Sequence, residues 1–171
     1  MTFKLGELRM KKFIISAVLM LFATSSQALV VDPATGGSGD FFWSGGLGAS
    51  VTFGGDDTLD ITLAEDSIIS LFAVDDCCVV GDAFGLVIDG SAATWSTSGF
   101  TGTGGLYAAT AADIFLAAGS HTFDLTVTAD CCGAGQGYWS MSAATAVPEP
   151  TTLALLSLGL LGFGFTRRKS A

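Results

Sequence analysis

The chain has 171 residues, 7 Lys+Arg against 16 Asp+Glu, and only 13 % charged residues, which is room for one domain with a tail at either end. All the cations (Lys4, Arg9, Lys11, Lys12, Arg167, Arg168 and Lys169) lie outside the stretch 13–166, whereas 14 of the acids fall between Leu29 and Val147. A middle without Lys or Arg excludes a nucleic-acid binder, because phosphate neutralisation needs those side chains, and it argues against enzymes that clamp anionic substrates with cations.

The first element in chain order is an address. Met10-Lys11-Lys12 precedes an uncharged apolar run from Phe13 to Ala23, and Ser26 and Ala28 then supply a small-x-small pair. This layout predicts a secretory signal peptide over 1–28, cleaved after Ala28 to leave Leu29 as the first mature residue. A membrane span needs about 20 apolar residues, more than this run offers.

From Leu29 onward the pattern switches to period two. Leu59, Ile61 and Leu63 alternate with Thr and Asp, as do Phe123, Leu125 and Val127; the segment from Tyr138 to Ala143 repeats the arrangement. Strands are predicted over 49–53, 58–63, 68–74, 84–89, 93–96, 113–116, 122–128 and 138–143. Gly-Gly pairs at 36–37, 45–46, 54–55 and 104–105 punctuate them. Eight short strands with one apolar face predict an all-β domain over 29–146, an antiparallel β-sandwich of jelly-roll or immunoglobulin-like type.

Four cysteines come as two adjacent doublets, Cys77-Cys78 and Cys131-Cys132. An exported chain meets an oxidising compartment, so disulfides are expected. Of the three connectivities two join the doublets and one closes each on itself. Bonds between the doublets are the favoured reading, because both doublets follow an Asp near a predicted strand end. Zinc held by four thiolates is a poorer match, since adjacent cysteines lack the two-residue spacer. Asp75, Asp76, Asp82 and Asp130 flank the doublets. With no Lys or Arg to offset them, their repulsion is relieved by solvent, by raised pKa values or by a hard cation such as calcium. The bland reading is that they are solvated turn residues.

Catalytic residues are not expected. A Ser-His-Asp triad requires a base beside a nucleophile, and His121, the single imidazole, begins a strand where an exposed histidine needs no function; 14 acids offer many carboxylate pairs without favouring one. Phe41, Phe42, Trp43, Trp95, Phe100, Tyr107 and Trp139 include candidates for a sugar-stacking strip, although core packing explains most of them.

The last element is a second address. Val147-Pro148-Glu149-Pro150 reads as an extended hinge, since two prolines cannot enter a helix interior. An uncharged run over 151–166 follows, long enough for a helix of roughly 24 Å, and Arg167, Arg168 and Lys169 lie in the basic tail 167–171. The predicted reading is a short transmembrane helix with its cations kept cytoplasmic. This order of Pro-Glu-Pro, apolar helix and basic cluster over 147–171 resembles the PEP-CTERM sorting signal. The resemblance implies export in a Gram-negative bacterium, an inner-membrane intermediate, and processing by an exosortase-type enzyme. It also implies delivery to the cell surface or extracellular matrix. The stretches 82–90 and 116–121 are similar to segments in sandwich domains of other PEP-CTERM proteins. The expected role is non-enzymatic, structural or adhesive, in a biofilm matrix. Alternatives are a carbohydrate-binding module acting on extracellular polysaccharide and a calcium-dependent adhesion module.

Overall fold

The computed structural model describes residues 28–148; the predicted signal peptide up to Gln27, and Glu149, Pro150 and the predicted helix and basic tail, lie outside them. The chain runs through β1 (Ala28–Val31), β2 (Gly37–Ser44), β3 (Val51–Phe53), β4 (Thr58–Leu63), β5 (Ser67–Asp76) and β6 (Ala83–Ile88). It continues through β7 (Ser91–Ala93), β8 (Thr97–Gly99), a 3-10 turn (Thr103–Gly105), β9 (Ala108–Leu116), β10 (Gly119–Ala129), β11 (Ala134–Met141) and β12 (Ala144–Ala146). The described residues are therefore nearly all β.

Two sheets form, ordered β1-β4-β10-β6-β7 and β3-β2-β11-β5-β9-β8, with β12 beside β5. Every pairing is antiparallel except that of β1 with β4. The pairings are nested: β2 with β11, β4 with β10, β5 with β9, and β6 with β7. Apolar side chains at alternate positions explain the layering, since each sheet turns one face to its partner. Phe41 meets Phe84 edge-on at 5.0 Å and Phe72 meets Phe123 at 5.4 Å, both across the interface. All four rings are fully buried, each contributing about 1.5–3 kcal/mol by leaving water.

The longest strand missing from the sequence expectation, beside the short β1, β8 and β12, is β2, whose Gly-rich start hides its alternation. Its Phe41 and Trp43 point inward while Asp40 and Phe42 point outward. β2 and β11 exchange aromatics for glycines across their register: Phe41 pairs with Gly137, Trp43 with Gly135, and Trp139 with Gly39. A Cβ on Gly137 would fall inside the Phe41 ring, and one on Gly135 inside Trp43. The large rings lie flat over bare backbone, which is why neither strand looks hydrophobic by residue count. The strand expected at 93–96 is also corrected: β7 ends at Ala93 and β8 starts at Thr97. Strand β9 begins at Ala108, earlier than expected, because its small alanines carry no strand signal.

Besides the register shift between Val127 and Ala129 where β10 meets β6, alternation breaks at the middle of β5 and β9. Ile69 and Phe72 both point inward, three residues apart. Opposite them Asp113 takes φ +53°. Ser70 and Asp113 face each other without pairing, and the register on both sides is unchanged. One extra residue on each strand flips the facing without shifting the ladder.

Antiparallel connection sorts the loops to two ends. The C-terminal segment leaves beside the start of β5, where Val147 N–H donates to the Asp66 carbonyl at 2.8 Å. Both cysteine doublets lie at the other end, ten residues of β5 away, or about 33 Å.

Candidate functional site

The disulfide end is built from the β5–β6 and β10–β11 turns. Cys77 N–H donates to the Gln136 carbonyl at 3.1 Å and Cys131 N–H to Asp82 Oδ1 at 2.9 Å, which brings the turns side by side as the sequence suggested. The connectivity is different from the favoured one: Cys77 bonds Cys78, and Cys131 bonds Cys132. Each doublet closes on itself because adjacent sulfurs meet without any loop having to bring them together. Gly81 between the turns has φ +128°, and a Cβ there would come 2.8 Å from Cys131 Cβ. Glycine satisfies both constraints.

Of the four flanking acids, Asp76 and Asp82 are buried together, at 4 % and 3 % exposure. Asp75 points out from the sheet, and Asp130 accepts the Gly133 N–H in its own turn at 2.9 Å. Asp82 is held by the Cys131 N–H, but both carboxylate oxygens of Asp76 lack a hydrogen-bond partner. Burial, and then the Asp82 charge, push the Asp76 carboxyl up to about 6, with the Cys77 N–H opposing them. Among the described residues no group of three or more His, Cys, Asp or Glu side chains is arranged to hold a metal. The four acids named for calcium thus do not converge on one point.

At the opposite end His121 forms a site that the sequence did not reveal. Its Nδ1 lies 2.7 Å from Asp89 Oδ2 and its Nε2 2.8 Å from the Ala117 carbonyl. Asp89 Oδ1 also accepts the Thr122 N–H at 2.9 Å. Burial pulls the imidazole pKa down, but the Asp89 hydrogen bond, the Ala117 carbonyl and the Asp89 charge outweigh it and leave the value raised. Asp89 is lowered: burial raises it, and the bonds from His121 and Thr122 more than compensate.

The aromatic candidates separate cleanly. Phe41, Trp43, Tyr107 and Trp139 are buried. Trp95 is half-buried, stacked on Phe72 at 6.1 Å, with its Nε1–H donated to the Phe84 carbonyl at 2.8 Å. A sugar-binding strip of tryptophans is therefore ruled out, since all three serve the core. Phe42 and Phe100 remain exposed, the latter edge-on to Tyr107 at 5.9 Å. Tyr138, absent from the sequence candidates, is 48 % exposed. Its neighbours Trp139 and Met141 face inward, and that alternation is the signal that would have placed it outside.

Only the base of the predicted sorting segment is described. β12 runs antiparallel to β5, Ala146 opposite Ser67, and carries the chain outward to Val147 and Pro148. No helix among the described residues is long and apolar enough to cross a membrane; the predicted span over 151–166 lies outside them. Ala28 opens β1, paired with Thr58.

No curated protein and no solved structure matches the chain. The PEP-CTERM protein-sorting motif matches residues 146–169, starting at the last residue of β12. That match covers the hinge, the apolar run and the basic cluster, and it implies an exported protein, processed by an exosortase-type system, that passes through a membrane-associated intermediate toward the cell surface. The chain thus carries a PEP-CTERM protein-sorting motif behind an all-β domain.

Proposed function

We propose that the all-β domain is a non-enzymatic structural or adhesive component of the cell surface or extracellular matrix. On this reading it is exported through the signal peptide over 1–28 and freed or attached after C-terminal processing. The observation that carries the reading is the position of the sorting motif, which starts where β12 leaves the folded domain. Among the described residues the buried core runs from Val31 to Met141, all ahead of the motif, so on this reading removal of the tail leaves it intact. Its nested pairing supports a jelly-roll. Setting aside β1, β3, β8 and β12, the eight remaining strands pair first with last, second with seventh, third with sixth and fourth with fifth. Deleting the host's exosortase-type enzyme tests the proposal. The expected result is full-length chain accumulating in the inner membrane, with the shorter mature form lost. Unchanged mass and unchanged location would overturn it.

A further inference from the structure

The outer face of the seven-stranded sheet carries one arrangement that the fold does not use. Tyr138 on β11 pairs directly with Asp40 on β2 and with Asp75 on β5. All three side chains point to solvent, so a half-exposed ring stands between two carboxylates on adjoining strands, with Cβ separations of about 5 Å on either side. None of the three makes a side-chain hydrogen bond or ion pair within the described residues. Phe42, 40 % exposed, lies on the diagonal from Tyr138, beside Gln136. Below them the face is a floor of short side chains, Ala73, Thr110 and Ser140 among them.

The chemistry of this face selects its occupant. Two carboxylates around an aromatic ring favour a cation, through direct charge pairing and through the ring's negative face. No Lys or Arg lies between residues 13 and 166 to supply that cation from within the domain. A folded protein partner would have to desolvate Asp40 and Asp75 at the centre of its interface, where charges are normally depleted. A hydrated chain of sugars keeps both carboxylates hydrogen-bonded while one sugar face stacks on the tyrosine. We infer that the Tyr138–Asp40–Asp75 face binds a polysaccharide bearing protonated amino groups. This names a ligand for the surface role proposed above and rests on that role for placing the face where such a polymer occurs.

The test is calorimetric titration of the full chain in mild detergent with a glucosamine hexamer, with its fully N-acetylated counterpart, and with polylysine of similar charge. The amine-bearing hexamer should bind at least tenfold more tightly than the acetylated one, with affinity falling as salt rises. Tyr138→Ala should weaken it at least tenfold, and Asp40→Asn combined with Asp75→Asn should abolish the preference for free amines. Val30→Ala, on the edge strand of the other sheet, should change nothing. Equal binding of the two hexamers would overturn the inference. So would unaltered binding by Tyr138→Ala, or polylysine binding as tightly as the hexamer and insensitive to Tyr138→Ala, since an acidic surface alone would then suffice. Normal tail processing without glycan binding sinks this inference alone; failed processing sinks the sorting-based reading and leaves the titration standing.

Discussion

Phe41 lies directly over Gly137, its cross-strand partner, so that one residue's ring occupies the space where the other's side chain would be. Gly137→Ala should therefore act as an overpacking substitution and destabilise the domain by about 1–3 kcal/mol. Gly54→Ala meets no neighbouring atom and tests backbone strain alone, since its φ is +63°. Urea unfolding of both variants separates the effects: a larger loss at Gly137, partly recovered when Phe41 is shortened to Leu, identifies the ring as the obstacle.

Asp76 should make the fold less stable as pH rises. Its folded pKa is raised from 3.8 to about 6, so the folded state holds a proton that the unfolded state releases in between. The protonated form's contribution is complete below about pH 4 and lost above about pH 6. Asp76→Asn should remove this dependence and gain about 1–2 kcal/mol at pH 8, less than the full linkage because the amide is itself short of partners. Thermal melts at pH 4 and pH 8 check it; equal wild-type and variant slopes would contradict the assignment.

The His121–Asp89 pair works in a different window. The imidazole's raised pKa means that its contribution is present below about 6.5 and fades as pH rises through the folded value. On the acid side Asp89, being lowered, withdraws its contribution only as pH falls below the usual carboxylate range. His121→Gln should flatten the alkaline arm of the stability profile by under about 1 kcal/mol, the scale of a partly exposed pair. Melting temperatures between pH 6 and pH 9 measure the difference.

Disulfides closed between neighbours constrain almost no chain. Reduction of the exported protein should lower stability by under about 1 kcal/mol, where a bond spanning the roughly fifty residues between the doublets would contribute about 4. Cleavage at aspartates under non-reducing conditions should release the Cys77–Cys78 and Cys131–Cys132 segments as separate peptides, each lacking two hydrogens. A peptide containing both doublets would reverse the connectivity given by the structure.

Strands whose two faces differ in polarity were readable directly: β4 matches its expected bounds, and the expected span 122–128 lies within β10. Where the inward residue is an alanine, or a glycine roofed by a ring from the next strand, the local sequence holds half of the information and the partner strand the other half. That is why β2 and the start of β9 were not visible. The candidate site divides in the same way. The sorting motif is linear and could be read residue by residue, whereas Tyr138 acquires Asp40 and Asp75 only through register. The doublets lie side by side as expected, but each closes on itself: a shared position after an Asp at a strand end predicts proximity of the two turns and does not decide which sulfurs pair.

β12 lies alongside β5 with its chain direction leading straight out of the sheet. A pull on the tail acts along these strands, so the three residue pairs of β12 are loaded in shear, all at once, instead of opening one after another like a zipper. A load entering there would pass lengthwise into β5, the strand flanked by β11 and β9. The route of the polypeptide thus turns a load applied at Val147 into one carried along the strands and not across them.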